Sequence, residues 1–124
     1  MAYLFSYTLS ILLGISTIPY LDIENAFKEN NAAKIVSFSE QKLILNILGQ
    51  EGVYSKSQSE LIIKDFFTKK PGNQFQFIFK GKETTEGTFS IGTYKSNSET
   101  FRITIQFKTV AQNYKIESLT IEKN

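Results

Sequence analysis

Thr100-Phe101-Arg102-Ile103-Thr104-Ile105-Gln106-Phe107-Lys108 decides the fold. Large apolar residues stand at 101, 103, 105 and 107, and polar ones fill every place between them. Successive strand residues point to opposite faces, so this alternation predicts a strand with one buried and one wet face, the mark of an antiparallel sheet. The same period appears on either side. Phe75, Phe77 and Phe79 alternate along one run, Phe89 and Ile91 along the next. Tyr114 and Ile116 then change parity to Leu119 and Ile121, which predicts a one-residue β-bulge near Glu117-Ser118. Turn-forming residues separate the runs, at Gly81 to Gly87, Ser96-Asn97-Ser98 and Gln112-Asn113. Short links between consecutive strands predict a meander of four. Its inward set is expected to be Phe75, Phe77, Phe79, Phe89, Ile91, Phe101, Ile103, Ile105 and Phe107. No sheet can leave such a face in water, so helices must cover it.

Those helices lie upstream. Asp22 reads as an N-cap, followed by Ile23, Ala26 and Phe27 at helical spacing, and Asn30-Asn31 separates this helix from a second over Ala32 to Phe38. Leu43 to Leu48 is dense in apolar residues and reads as a strand that joins an edge of the meander; Gly49-Gln50-Glu51-Gly52 reads as a turn. Ser55 and Gln58 make a capping box. The helix after it runs over Lys56 to Lys69, buries Ile62, Ile63, Phe66 and Phe67, and stops at Pro71-Gly72. The predicted class is α+β, in the order α-α-β-α-β-β-β-β, with a bent sheet wrapped around a long helix.

Composition removes many activities. The 124 residues contain no Cys and no His. A thiol nucleophile, a His-centred triad and a zinc site with N or S ligands are therefore ruled out. Glu40, Glu51 and Asp65 lack the spacing of an oxygen-ligand metal loop. No glycine-rich phosphate loop is present, and no metal or cofactor is expected. Fourteen basic and 12 acidic residues give a formal charge of +2, and the longest basic run is Lys69-Lys70. That is a mixed solvated surface and not a nucleic-acid stripe.

Residues Met1 to Leu21 carry no charge and include a long apolar run. Residues 1–20 resemble a secretory signal peptide, with small residues at Gly14 and Ser16, although no basic residue precedes the run. The expected organisation is a leader over 1–20 and one domain over 21–124. Export to the periplasm or the exterior is the first expectation. Anchoring in the membrane by the uncleaved leader is the alternative.

The segments Asp22 to Phe27, Ile47 to Gln58 and Lys64 to Phe67 are similar to the domain-of-unknown-function 4783 family. Leu48-Gly49-Gln50-Glu51-Gly52-Val53-Tyr54-Ser55 is the most specific part. The resemblance spans roughly residues 22 to 122 and implies the nuclear transport factor 2-like, or cystatin-like, cone. It implies no activity. In such a cone the outer sheet face, here carrying Arg102, Thr104, Gln106 and Lys108, is expected to pair with a second subunit. The cone interior is the place for a small apolar ligand, and its candidate lining is Tyr54, Ile63, Phe66, Phe67, Phe77, Phe89, Phe101 and Ile103. A non-catalytic ligand- or protein-binding module is the leading expectation. A cone enzyme of isomerase, dehydratase or hydrolase type would need an inward carboxylate, and Asp65 lies on the polar side of its helix. A structural envelope protein with a filled core is the third possibility.

Overall fold

A computed structural model describes residues 17–124; the body of the proposed leader lies outside the described residues. Ile18, assigned above to the leader, is buried in the core, and helix α1 (Tyr20–Lys28) begins two residues later. The helix is entered through Pro19, not Asp22. A proline suits this place because an N-terminal N–H would lack an intrahelical partner anyway. Asp22 falls in the first turn, where its charge favours the helix dipole.

Helix α2 (Ala32–Ser37) follows, capped by the Asn31 side chain on the Lys34 N–H. Then come β1 (Ser39–Ile47), β2 (Gln50–Ser55), α3 (Lys56–Lys69), β3 (Gln74–Lys80), β4 (Gly87–Ser96), β5 (Glu99–Val110) and β6 (Asn113–Lys123). The strands form one sheet in the order β2-β1-β6-β5-β4-β3. Among the described strands, β1 and β6 pair parallel and the other neighbours antiparallel. The class and element order are those expected, with one strand added.

The added strand is β2. The turn is not Gly49 to Gly52 but the two residues Leu48 and Gly49, with φ of 53° and 90°. Two positive φ values make the tight hairpin turn whose twist matches its strands. Leucine is costly in that conformation. Its N–H donates to the Ile121 carbonyl at 2.9 Å, which ties the turn to β6. At the other end of β2, the capping box forms as expected. The Gln58 N–H donates to Ser55 Oγ at 3.2 Å, and the Ser55 N–H donates to Gln58 Oε1 at 3.1 Å.

Two bulges set the faces of the meander. On β6, Gln106 pairs with Ser118 and Phe107 with Ile116, so Glu117 is the extra residue and Ile116, Leu119 and Ile121 all turn inward. On β3, Phe77 pairs with Gly92 and Phe79 with Ile91, so Ile78 is extra and Phe79 turns outward. The register of β4 corrects the sequence reading. Tyr94 lies opposite Phe101, Gly92 opposite Ile103 and Ser90 opposite Ile105. These even-numbered residues face the core, and Phe89 and Ile91 face out. The reason is space. The tip of the Phe75 ring lies against Gly92, where any Cβ would overlap it.

Helix α3 fills the concave face with Ile63, Phe66 and Phe67. Phe66 meets Phe101 edge-on at 5.3 Å, and Phe27 of α1 stacks on Phe75 at 4.6 Å. A polar lock holds the helices to the sheet. Asn30, in the left-handed conformation at φ 53°, donates through Nδ2 to the carbonyls of Phe27 and Gly72, each at 2.9 Å. The Tyr94 hydroxyl donates to the Lys70 carbonyl at 2.7 Å and receives Asn30 Nδ2 at 3.1 Å. Burial pushes the Tyr94 phenol above its ordinary pKa, and the Asn30 bond partly offsets that shift.

Candidate functional site

Three places on the molecule offer themselves: the cone interior, a cleft at its β1–β2 end, and the outer face of the sheet.

The interior is packed. Ile63, Phe66, Phe67, Phe101 and Ile103 are all buried against one another or against Tyr94 and Phe75. Phe77 is half-buried and packs edge-on against Tyr20 at 4.9 Å and Phe75 at 5.0 Å. Six of the eight candidate lining residues thus lie on the concave side as parts of one core. Phe89 does not join them; it is 41% exposed on the convex side. The Tyr20 hydroxyl faces that of Ser90 in the narrow end. Neither has a hydrogen-bond partner of good geometry among the described residues. Burial raises the Tyr20 pKa, and the Glu83 carboxylate adds to that shift.

Tyr54, the remaining candidate, sits at the opposite end, where α3 and the β1–β2 hairpin enclose a cleft of about 270 Å³. Leu45, Ile47, Tyr54, Ile62 and Phe66 make its apolar lining, and Asp65, Lys69 and Lys70 stand on its rim. The motif Leu48 to Ser55 builds this end residue by residue. Leu48 and Gly49 turn the chain, and Ser55 caps α3. Gly52 leaves room for the Tyr54 ring, which lies over its Cα; a Cβ there would come within 2.6 Å of Tyr54 Cζ. Tyr54 pairs with the fully buried Leu43, so its ring enters the concave side as the wall of the cleft.

The charges on the rim are paired. Asp65 meets Lys69 at 3.0 Å, both well exposed. Lys70 meets Glu99 at 2.6 Å, and Lys123 meets the same carboxylate at 3.3 Å. The Lys70 bond is the main reason that Glu99 is held below the ordinary carboxylate range. A general acid at neutral pH needs the opposite, a carboxyl raised by burial. Among the described residues, no three acidic side chains converge as a metal ion would require.

The outer face is different in character. Its rows run across the sheet through paired residues. One row reads Val53, Ile44, Ser118, Gln106, Phe89. The next reads Asn46, Thr120, Thr104, Ile91, Phe79, with Glu51 at its edge. A fifth of the chain is charged, yet these rows carry one charge, and it is peripheral. Apart from Glu51, their ends are apolar and open to solvent. Val53 is 63% exposed, Ile44 39% and Phe79 46%. The Phe79 and Phe89 rings lie 5.2 Å apart. The sequence reading took Arg102, Thr104, Gln106 and Lys108 to represent this face. It missed the apolar ends because Phe79, Phe89 and Ile91 had been assigned to the core.

A family model described as "Domain of unknown function (DUF4783)" matches residues 20–122. The chain belongs to the DUF4783 family. A DUF4783 protein from Bacteroides uniformis is 26% identical, with a TM-score of 0.79 over 87% of this chain and 98% of its own. A domain of unknown function with a cystatin-like fold from Nostoc punctiforme aligns at 9% identity and a TM-score of 0.68, over 85% of this chain and 72% of its own. An NTF-2 like protein of unknown function from Silicibacter pomeroyi aligns at 7% identity and a TM-score of 0.62, over 85% and 89%. The last two establish the cone fold alone. No curated protein matches the chain.

Proposed function

We propose that this DUF4783 protein is an exported, non-catalytic binding module whose working surface is the outer face of its sheet. One observation carries the proposal: two adjacent rows, one across five strands and one across six, hold a single charge, Glu51, and present exposed Val53, Ile44, Phe79 and Phe89. Depletion of charge with aromatic enrichment marks the centre of protein interfaces. Isolated exposed apolar residues, such as Leu61 on α3, need no such explanation. The uncharged apolar stretch Met1 to Leu21 supports export.

A photo-crosslinking residue at Thr104, in the centre of the face, tests the proposal in the native host. A discrete crosslinked polypeptide is expected from Thr104 and none from a control at Lys34 on α2. No product from Thr104, or the same products from both sites, would overturn it.

The cleft supports a second reading, a small apolar ligand held between Tyr54 and Phe66. Its volume is slightly below the usual range for small-molecule sites. An apolar fluorophore that binds the wild-type chain, and binds more weakly after Ile62→Asp, is the result expected. Equal binding to both would remove this reading.

A further inference from the structure

We infer that the free edge of β3 is a docking site for an extended acidic peptide, which adds to the six-stranded sheet as a further strand beside Asn73 to Phe77. The site is a backbone edge and is separate from the outer face proposed above. The sheet ends in β2 on one side and β3 on the other. Unpaired edge groups invite another strand, and proteins blunt that tendency with charges, prolines and irregularities. β2 is protected in this way, with Glu51 and Gly52 among its six residues. β3 differs. From Asn73 to Phe79 the chain carries no charge and no proline, and Phe75, Phe77 and Phe79 give it high strand propensity. Among the described residues, the backbone of β3 bonds to β4 alone. In an antiparallel pair every second residue turns its N–H and C=O away from the partner strand. β3 therefore presents a row of backbone donors and acceptors at the free edge, and these require a partner from outside the fold.

The groove beside this edge selects the partner. It holds about 530 Å³, opens along Asn73, Gln74, Gln76 and Ile78, and is flanked by Lys28 of α1 and Lys95 of β4. A second hollow continues it past Gly72 to Asn97. No carboxylate lines either one. Lys95 lies opposite Gln74, is exposed, and forms no ion pair with any described residue. Lys28 is held only by Glu24, at 3.4 Å. An added strand points successive side chains to opposite faces. Two neighbouring acidic residues therefore reach one lysine each, Lys95 on the sheet side and Lys28 on the helix side. The bulge at Ile78 ends the regular pairing and leaves the exposed Ile78 side chain as an apolar seat for a later residue of the peptide. Main-chain bonds supply the affinity, and the two lysines with Ile78 supply the choice of sequence.

A short synthetic peptide with two adjacent glutamates and a valine beyond them, titrated into the isotope-labelled full chain and followed by NMR, tests the inference. Saturable shifts of the backbone amides of Asn73 to Phe77 are expected, while those of β2 stay in place. Methylating the peptide nitrogens at alternate residues should abolish binding for one of the two alternate sets and spare it for the other, because only one set faces β3. Lys95→Glu should weaken binding by about fivefold, with Lys34→Glu on α2 unchanged and circular dichroism showing both variants folded. No saturable shift, or shifts confined to other strands, overturns the site. Equal binding, or equal loss, with both methylated peptides overturns strand addition. Equal binding by a peptide with glutamines in place of the glutamates overturns the acidic partner. Shifts at Asn73 to Phe77 that appear on raising the protein concentration alone assign the edge to a second copy and overturn the peptide. The crosslink from Thr104 judges the outer face independently of these results.

Discussion

Gly92→Ala measures which way β4 faces, and everything on the outer surface follows from that. The added methyl would stand 2.6 Å from Phe75 Cε2 and closer still to Cζ, where carbon atoms normally keep about 3.5–4.0 Å. The ring must therefore move by about 1 Å. It has little freedom to do so, because it stacks on Phe27 at 4.6 Å and meets Phe77 edge-on at 5.0 Å. Overpacking of this kind costs about 1–3 kcal/mol. Alanine recovers about 0.5–1 kcal/mol through its lower backbone entropy loss in a strand. The net expectation is a loss of about 1–2 kcal/mol, read by urea unfolding as a lower midpoint at unchanged slope. In a domain of this size it should lower Tm by roughly 5–10 °C. Phe75→Leu in the same background should cost less than the two changes added, by about 1 kcal/mol, because the two side chains share one space. If β4 instead faced as simple alternation of Phe89 and Ile91 implies, Gly92 would lie outside and Gly92→Ala would stabilise the protein. That result would refute the assigned register and the apolar ends of the outer face with it.

Other expectations rest on single contacts. Gly52→Ala should cost under about 1 kcal/mol, because the Tyr54 ring it displaces can swing toward solvent; a changed near-ultraviolet tyrosine signal with little change in midpoint checks this. Tyr94→Phe removes the bond to the Lys70 carbonyl and should cost about 1–2 kcal/mol. The folded-state pKa of Tyr94 is raised, so its contribution is complete below the ordinary tyrosine pKa and is lost as pH rises through the folded value. The variant should therefore lose less stability than the wild type on alkaline titration. Glu99 has the opposite sign. Its folded pKa is lowered, so its contribution is present above the ordinary carboxylate pKa and fades as pH falls through the folded value. Glu99→Gln should narrow the gap between neutral and acid stability. Ser55→Ala should cost about 1 kcal/mol by removing the cap of α3, and denaturant unfolding at neutral pH checks it.

The helices and the central strand were legible in the sequence because their signals are local. The capping box at Ser55 and Gln58, the stop at Pro71-Gly72 and the alternation from Phe101 to Phe107 each lie within a few residues. So does the parity change between Ile116 and Leu119, which led to the bulge at Glu117. β2 was missed because the pair of glycines at 49 and 52 resembles one long turn. In fact Gly49 turns the chain, and Gly52 makes room for Tyr54. The faces of β3 and β4 were misread for a reason that lies in other strands. Phe89 and Ile91 alternate well, but the pairing with β5 and the Phe75 ring place Ser90, Gly92 and Tyr94 inside. Parity alone cannot choose between two faces when both carry apolar residues. The outer surface was therefore hidden for the same reason: its aromatic residues looked like core.

Photo-crosslinking in the native host from positions across the outer face, scored against positions on the helices, tests the central claim most directly. A discrete crosslinked polypeptide is predicted from Ile44, Thr104 and Phe89, and none from the exposed Leu61 and Leu21. No crosslink from the outer face, or the same products from Leu61 and Leu21, would contradict it.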